Sequence, residues 1–174
     1  NNPVNLSSWT WSSPQYFVGC YDGENTFNLL NKKIKFCGPI GWNDGSIEKL
    51  WLYNLHYFDD LNAIDSVNRV DAHYLLIKNW IENNPLSSGG IGWEPYTLSI
   101  RLVNWIKWCS RHKIDDADVM ESIYSQAQVL SKTLEYHILG NHLFSNAKAL
   151  MFVGYFFEGK MGKVFLNQAN KIFE

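Results

Sequence analysis

Asn141 and His142 stand side by side, after Gly140 and ahead of an apolar stretch. A carboxamide hydrogen-bonds an anionic oxygen without titrating. An imidazole, with an ordinary pKa of about 6.5, accepts or delivers a proton near neutral pH. The pair therefore has the chemistry to hold an anionic intermediate and to move a proton beside it. Plainer roles are open to both. Asn at the head of a helix is a favoured N-cap, and His in a first turn can be a solvated surface residue. Asn146 lies one turn on, on the same side of the helix as His142. It can orient the imidazole or pair with the backbone, and the second is the simpler expectation.

Further clusters combine aromatic faces with polar tips. Tyr53, Asn54, His56 and Tyr57 fall within one helical stretch, and Tyr53 and Tyr57, four apart, share a face. They either pack neighbouring helices or wall a groove for sugar rings, whose C–H faces suit flat aromatics. Trp93, Glu94, Tyr96 and Arg101 form another cluster. Arg101 is an isolated cation in an otherwise apolar helix. An ion pair with Glu94 would explain it, and so would a bidentate grip on a substrate carboxylate or sulfate. His137 reads as structural, placed at a helix C-terminus where positive charge is favoured.

These residues need elements to position them. Residues 1–45 read as irregular to extended, punctuated by Pro14, Gly19, Gly23, Gly38, Pro39, Gly41 and Gly45, with a short strand or hairpin between Phe27 and Phe36. From Ser46 helical periodicity takes over. It predicts a first helix over about 47–61, capped by Asp44 or Ser46. A second, over about 66–83, has Val70, Tyr74, Ile77 and Ile81 on its stripe and stops before Pro85. A third starts near Pro95 and points Leu98, Leu102, Trp105 and Cys109 inward. A fourth opens with Asp115 and Asp118 as a capping box, runs through Val119, Ile123, Ala127, Leu130 and Leu134, and ends at Gly140. A fifth spans about 142–157, and a last, from about 163, is still helical in pattern at Glu174, so a longer parent protein is expected. Such a string of helices suits a bundle, a solenoid or an α/α toroid.

With 174 residues, 46% hydrophobic and 18% charged, the chain can bury a real core. A formal net charge of −2 and the lack of any Lys/Arg run argue against a nucleic-acid partner. A polyanion would have to be held by a few local donors. The aromatic share, 16%, fits either a bulky helical core or a sugar-binding groove. Cys20, Cys37 and Cys109 are odd in number and lack paired spacing, which implies free thiols and neither a disulfide framework nor a zinc site. No stretch is long and apolar enough to span a bilayer. No Ser-His-Asp pattern, P-loop or HExxH motif is present.

Lys49–Leu61 (KLWLYNLHYFDDL), Gly92–Trp105 (GWEPYTLSIRLVNW) and Leu134–Leu150 (LEYHILGNHLFSNAKAL) together resemble the N-terminal helical domain of heparinase II/III-like proteins, a family that is itself similar to certain alginate lyases. The likeness runs roughly from Trp42 to Phe157. It implies an all-α fold, an incomplete α/α toroid over residues 46–174 behind the irregular segment 1–45, with the family's C-terminal β domain missing. It implies cleavage of a uronic-acid-containing polysaccharide, heparin/heparan- or alginate-like, by β-elimination. Asn141 and His142 become the catalytic pair. Tyr53, Asn54, His56, Tyr57, Trp93, Glu94, Arg101 and Asn146 become candidate substrate-binding residues. A later Tyr and a second His of the family pattern have no counterpart in this chain. The implied partner is an acidic polysaccharide, the implied location periplasmic or secreted, and no cofactor or metal is expected. The oligomeric state stays open.

β-Elimination removes the proton at C5 of a uronate and expels the oxygen at C4. The neighbouring carboxylate makes that proton only weakly acidic, because its loss adds charge beside charge. An amide such as Asn141 can neutralise the developing enolate-like charge by hydrogen bonding. His142 can take or return the proton, a contribution of typically about 10²–10⁴ in rate. An α/α-toroid glycoside hydrolase is the competing enzyme class. It needs two carboxylates across a cleft, and Asp59, Asp60 and Glu94 are its only candidates. A non-catalytic glycan-binding helical module is the third possibility.

Overall fold

Leu30 and Asn31 carry positive φ angles of 53° and 61°, and this tight turn joins β1 (Thr26–Leu29) to β2 (Lys32–Lys35) in an antiparallel hairpin. Positive φ at both central residues matches the twist of paired strands, although Gly or Asn is the usual occupant. The hairpin matches the stretch expected to hold one, Phe27 to Phe36, to within one residue at each end. The computed structural model describes residues 17–138 and 140–173. Residues 1–16 of the irregular N-terminal stretch, with Trp9, Trp11 and Pro14, and Glu174 at the end of the last helical pattern lie outside them.

Among the described residues the chain is mostly helical. The helices are α1 (Lys49–Tyr57), α2 (Val70–Asn83), α3 (Pro95–His112), α4 (Ala117–Lys132), α5 (Asn141–Phe156) and α6 (Gly159–Phe173). Their boundaries correct several expectations. Neither Asp44 nor Ser46 caps α1, whose N-cap position is Glu48; the Asp44 carboxylate accepts from the N–H and hydroxyl of Ser46 at 2.9 and 2.7 Å, in a turn ahead of the helix. The first helix is also shorter than its periodicity suggests. Phe58 turns left-handed at φ 59°, and a 3-10 turn over Asp59–Asn62 replaces the last helical turn. Phe58 is buried there and meets Trp105 edge-on at 5.3 Å, so packing outweighs helix propensity. A second 3-10 turn, Ser66–Arg69, precedes α2.

Asp116, one position after the expected cap, starts α4. Its side chain accepts from the Val119 N–H at 3.0 Å. That helix ends at Lys132, so Leu134 and the exposed His137 lie in the loop that follows and not on the helix. Gly140, at φ 102°, caps the start of α5, and Asn141 is its first helical residue; the N-cap reading of Asn141 is therefore replaced. The last helix opens at Gly159, earlier than its apolar pattern suggests.

α3 sits at the centre, in contact with α1, α4 and α5, and α5 packs most extensively on α6. A helix touched on several sides is buried around most of its girth, which explains why Thr97, Ser99, Arg101 and Asn104 of α3 are buried with its apolar residues. Trp51, Trp80, Trp105 and Trp108 are fully buried in the core. Trp80 and Trp105 meet at right angles, 5.5 Å between centroids. At about 25 cal/mol per Å² over roughly 200 Å², each such ring gives on the order of 5 kcal/mol of gross stabilisation. The aromatic richness is therefore largely core.

Candidate functional site

α5 and the loop before it carry the predicted pair. Asn141 is exposed and its side chain has no hydrogen-bond partner among the described residues; its carbonyl accepts from the Ser145 hydroxyl at 2.7 Å. His142 is 40% exposed at its side chain, and its Nδ1 lies 3.1 Å from Glu135 Oε1. Its ring lies over Tyr96, with centroids 4.4 Å apart and 31° between planes. Tyr96 in turn meets Tyr57 edge-on at 6.1 Å. The result is a line of rings, Tyr57–Tyr96–His142, drawn from α1, α3 and α5. Burial, and then the neighbouring Tyr96, Asp59, Tyr53 and Glu94, push the Tyr57 phenol up to about 12, so it stays protonated at neutral pH.

Glu94 closes α1 against the start of α3. It accepts from the Tyr53 hydroxyl and pairs with Lys49 at 3.1 Å. Lys49 also lies 5.1 Å over the Tyr53 ring. Burial and the bond to Glu94 raise the Tyr53 phenol. The α1 and α3 clusters thus meet, but Glu94 pairs with Lys49 and Tyr53 and not with Arg101.

Several predicted substrate contacts are placed out of a ligand's reach. His56 is fully buried; its Nε2 lies 2.8 Å from the Trp42 carbonyl and its Nδ1 accepts from the Trp80 indole N–H at 2.9 Å. Arg101 is fully buried, with its guanidinium on the Gly92 carbonyl at 2.6 Å and on Gln126 Oε1 at 2.9 Å, stacked 4.0 Å over Trp80. The fork of donors that could have held a carboxylate instead ties the Gly92 turn to α4. Asn146 is fully buried, and its Oδ1 accepts from the Glu135 N–H at 2.9 Å. Asn54 donates one turn back to the Leu50 carbonyl at 2.9 Å. Trp93 is half-buried, tilted against Trp80 at 5.7 Å, and lines a cleft with Asn84, Asp118, Glu121 and Ser122.

Of the carboxylates a hydrolase would need, Asp60 is fully engaged. Asp60 accepts from four donors: the N–H groups of Cys20 and Tyr21, Arg69 Nε and His73 Nε2, at 2.6 to 3.0 Å. Burial pushes this carboxyl up, yet the His73, Arg69 and backbone donors bring it below the usual range. Asp59 accepts from Asn104 Nδ2 at 2.9 Å, and burial raises its pKa.

Glu135 and Ser99 were not legible as site residues. Glu135 is seven positions before His142, across a loop, and no periodicity brings the two together. Comparisons with family models, with curated proteins and with solved structures return no match for this chain. No helix among the described residues is long and apolar enough to cross a membrane, and no group of His, Cys, Asp and Glu there could hold a metal ion.

Proposed function

We propose that this chain is a helical, toroid-type domain of a secreted or periplasmic polysaccharide lyase acting on uronic-acid-containing chains by β-elimination. The observation that carries the reading is the head of α5. There a free carboxamide, Asn141, adjoins an accessible imidazole, His142, that is braced on a buried carboxylate and flanked by Tyr96. In this reading the Tyr96 and Tyr57 faces receive a sugar ring, and the Asn141 amide donates to the uronate carboxylate. His142 takes the C5 proton, the C5–H electrons form the C4–C5 double bond, and the C4–O bond breaks. The proton for the leaving oxygen comes from an acid outside the residues assigned here. The saturated hydrogen bonding of Asp60 weighs against the hydrolase reading, because no lone pair is left to activate water.

Titrating uronate oligosaccharides against the wild type and Asn141→Ala tests the site. We expect binding to weaken by roughly tenfold, the worth of one hydrogen bond to a charged group. Equal binding would remove Asn141 from it. An ultraviolet-absorbing unsaturated product, formed by the wild type or by a longer form of the protein, identifies elimination. Saturated reducing ends would identify hydrolysis and overturn the proposal.

A further inference from the structure

Asn146 sets the polarity of a hydrogen-bond chain that ends on His142. Its Oδ1 faces the backbone N–H of Glu135 at 2.9 Å. A backbone N–H can only donate, so that atom must be the oxygen and the other the NH₂ group. The NH₂ group then spends its hydrogens on Ser99 Oγ at 3.0 Å and on Glu135 Oε2 at 3.2 Å. Ser99 is free to accept, because its own hydroxyl proton goes to the Pro95 carbonyl at 2.8 Å. Every member has one direction. Glu135 is pinned by its backbone and by one carboxylate oxygen, in a site where its side chain is only 10% exposed. Its remaining oxygen, Oε1, faces His142 Nδ1.

We infer that Glu135 is a positioning residue that holds His142 in the Nδ1–H tautomer, leaving Nε2 as the ring nitrogen with a free lone pair. An ionised carboxylate accepts only, so the proton between the two must sit on Nδ1. No described residue hydrogen-bonds Nε2, and the ring is partly exposed. The imidazole is thereby delivered with its basic nitrogen outward and its orientation fixed from behind. A carboxylate behind a histidine does the same work in serine hydrolases and in metal sites. The role of Nε2 as the base toward a uronate rests on the function proposed above; the tautomer does not.

Ring nitrogen-15 chemical shifts of His142, read on the intact chain with the ring neutral, decide the matter. We expect a protonated Nδ1 and a bare Nε2 in the wild type. In Glu135→Gln the Asn146 NH₂ group holds the amide oxygen, so the amide's own NH₂ group faces Nδ1, and we expect the preference to pass to the Nε2–H tautomer. A wild-type Nε2–H tautomer would mean that Glu135 donates, and would overturn the inference whether or not the variant folds. An unchanged tautomer in a folded Glu135→Gln would also overturn it. Saturated reducing ends formed from a uronate polysaccharide, with the Nδ1–H tautomer present, would instead remove the lyase reading and leave the dyad standing.

Discussion

At the residue scale, histidines with opposite fates show how hydrogen-bond donors decide chemistry. His142 faces a carboxylate and keeps its outer nitrogen accessible, whereas His56 is enclosed. The Trp80 indole N–H must donate, so His56 Nδ1 accepts and Nε2–H donates to the Trp42 carbonyl. Protonation would set donor against donor. Burial, and then the Arg101 charge, hold its pKa down to about 3. Folding therefore excludes a proton that the unfolded chain takes up below about pH 6.5. The contribution is fully present above pH 6.5 and is lost as pH falls toward 3, at up to about 1.4 kcal/mol per pH unit. Denaturant unfolding at pH 7, 6 and 5 should show this slope before the carboxylates titrate. His112, whose pKa is also lowered by burial, adds to it with the same sign. His56→Gln, with one acceptor and donors to spare, should start less stable and give a flatter profile; parallel profiles would clear His56 of the effect. From the sequence, His56 and Arg101 read as site candidates because a polar residue among aromatics looks the same whether it faces a groove or the core. What separates the cases is the partner, Trp42, Gly92 or Gln126, and local spacing carries no trace of it.

At the element scale, the helices were legible and their joints were not. Periodicity placed the bodies of α2, α3 and α5 well, although the buried face of α2 is His73, Leu76, Ile77 and Trp80, with Val70, Tyr74 and Ile81 only half-buried. It failed at the end of α1, where Phe58 leaves the helix to pack on Trp105, and at the end of α4, where Leu134 continues the apolar pattern into a loop. The start of α6 was missed for a different reason. Its first turns hold Gly159 and Gly162, which read as breaks, yet Gly162 is what brings α6 onto α5. A Cβ there would collide with the carbonyl oxygens of Phe157 and Gly154, and one on Gly154 would lie 2.9 Å from the Gly162 oxygen. The α5–α6 contact thus depends on small residues where backbones approach. Gly162→Ala should destabilise the protein by about 1–3 kcal/mol, the usual cost of overpacking. An alanine at the exposed Gly38 or Gly45, where no atom lies within 4 Å of the added carbon, provides the contrast. Equal unfolding midpoints for Gly162→Ala and the wild type would show that the helices separate at little cost.

At the scale of the whole molecule, one carboxylate ties the N-terminal segment to the helical body, beside the hydrogen bonds of Trp51 to the Lys32 carbonyl and of Trp42 to Asn79. Tyr21 stacks on Phe27 of the hairpin at 4.7 Å, and the Phe17 carbonyl accepts from the Ile64 N–H at 2.8 Å, so apolar and backbone contacts already bring the segment to the 3-10 turn. Asp60, in that turn, then holds both sides: the N–H groups of Cys20 and Tyr21 on one oxygen, and Arg69 with His73 of α2 on the other. Both oxygens are needed as acceptors. Asp60→Asn keeps the volume but turns an NH₂ group toward one pair of donors, leaving like against like in a buried site. The cost should fall on the joint rather than on the helices, because α3 and α5 bury their surfaces against other partners. Amide hydrogen exchange of wild type and Asp60→Asn should therefore show faster exchange at Cys20, Tyr21 and the hairpin, with α3 and α5 retaining most of their protection. A uniform loss of protection along the chain would mean that the segment and the helices unfold as one cooperative unit. Protection unchanged at Tyr21 would mean that the stacked rings, not Asp60, hold the segment in place.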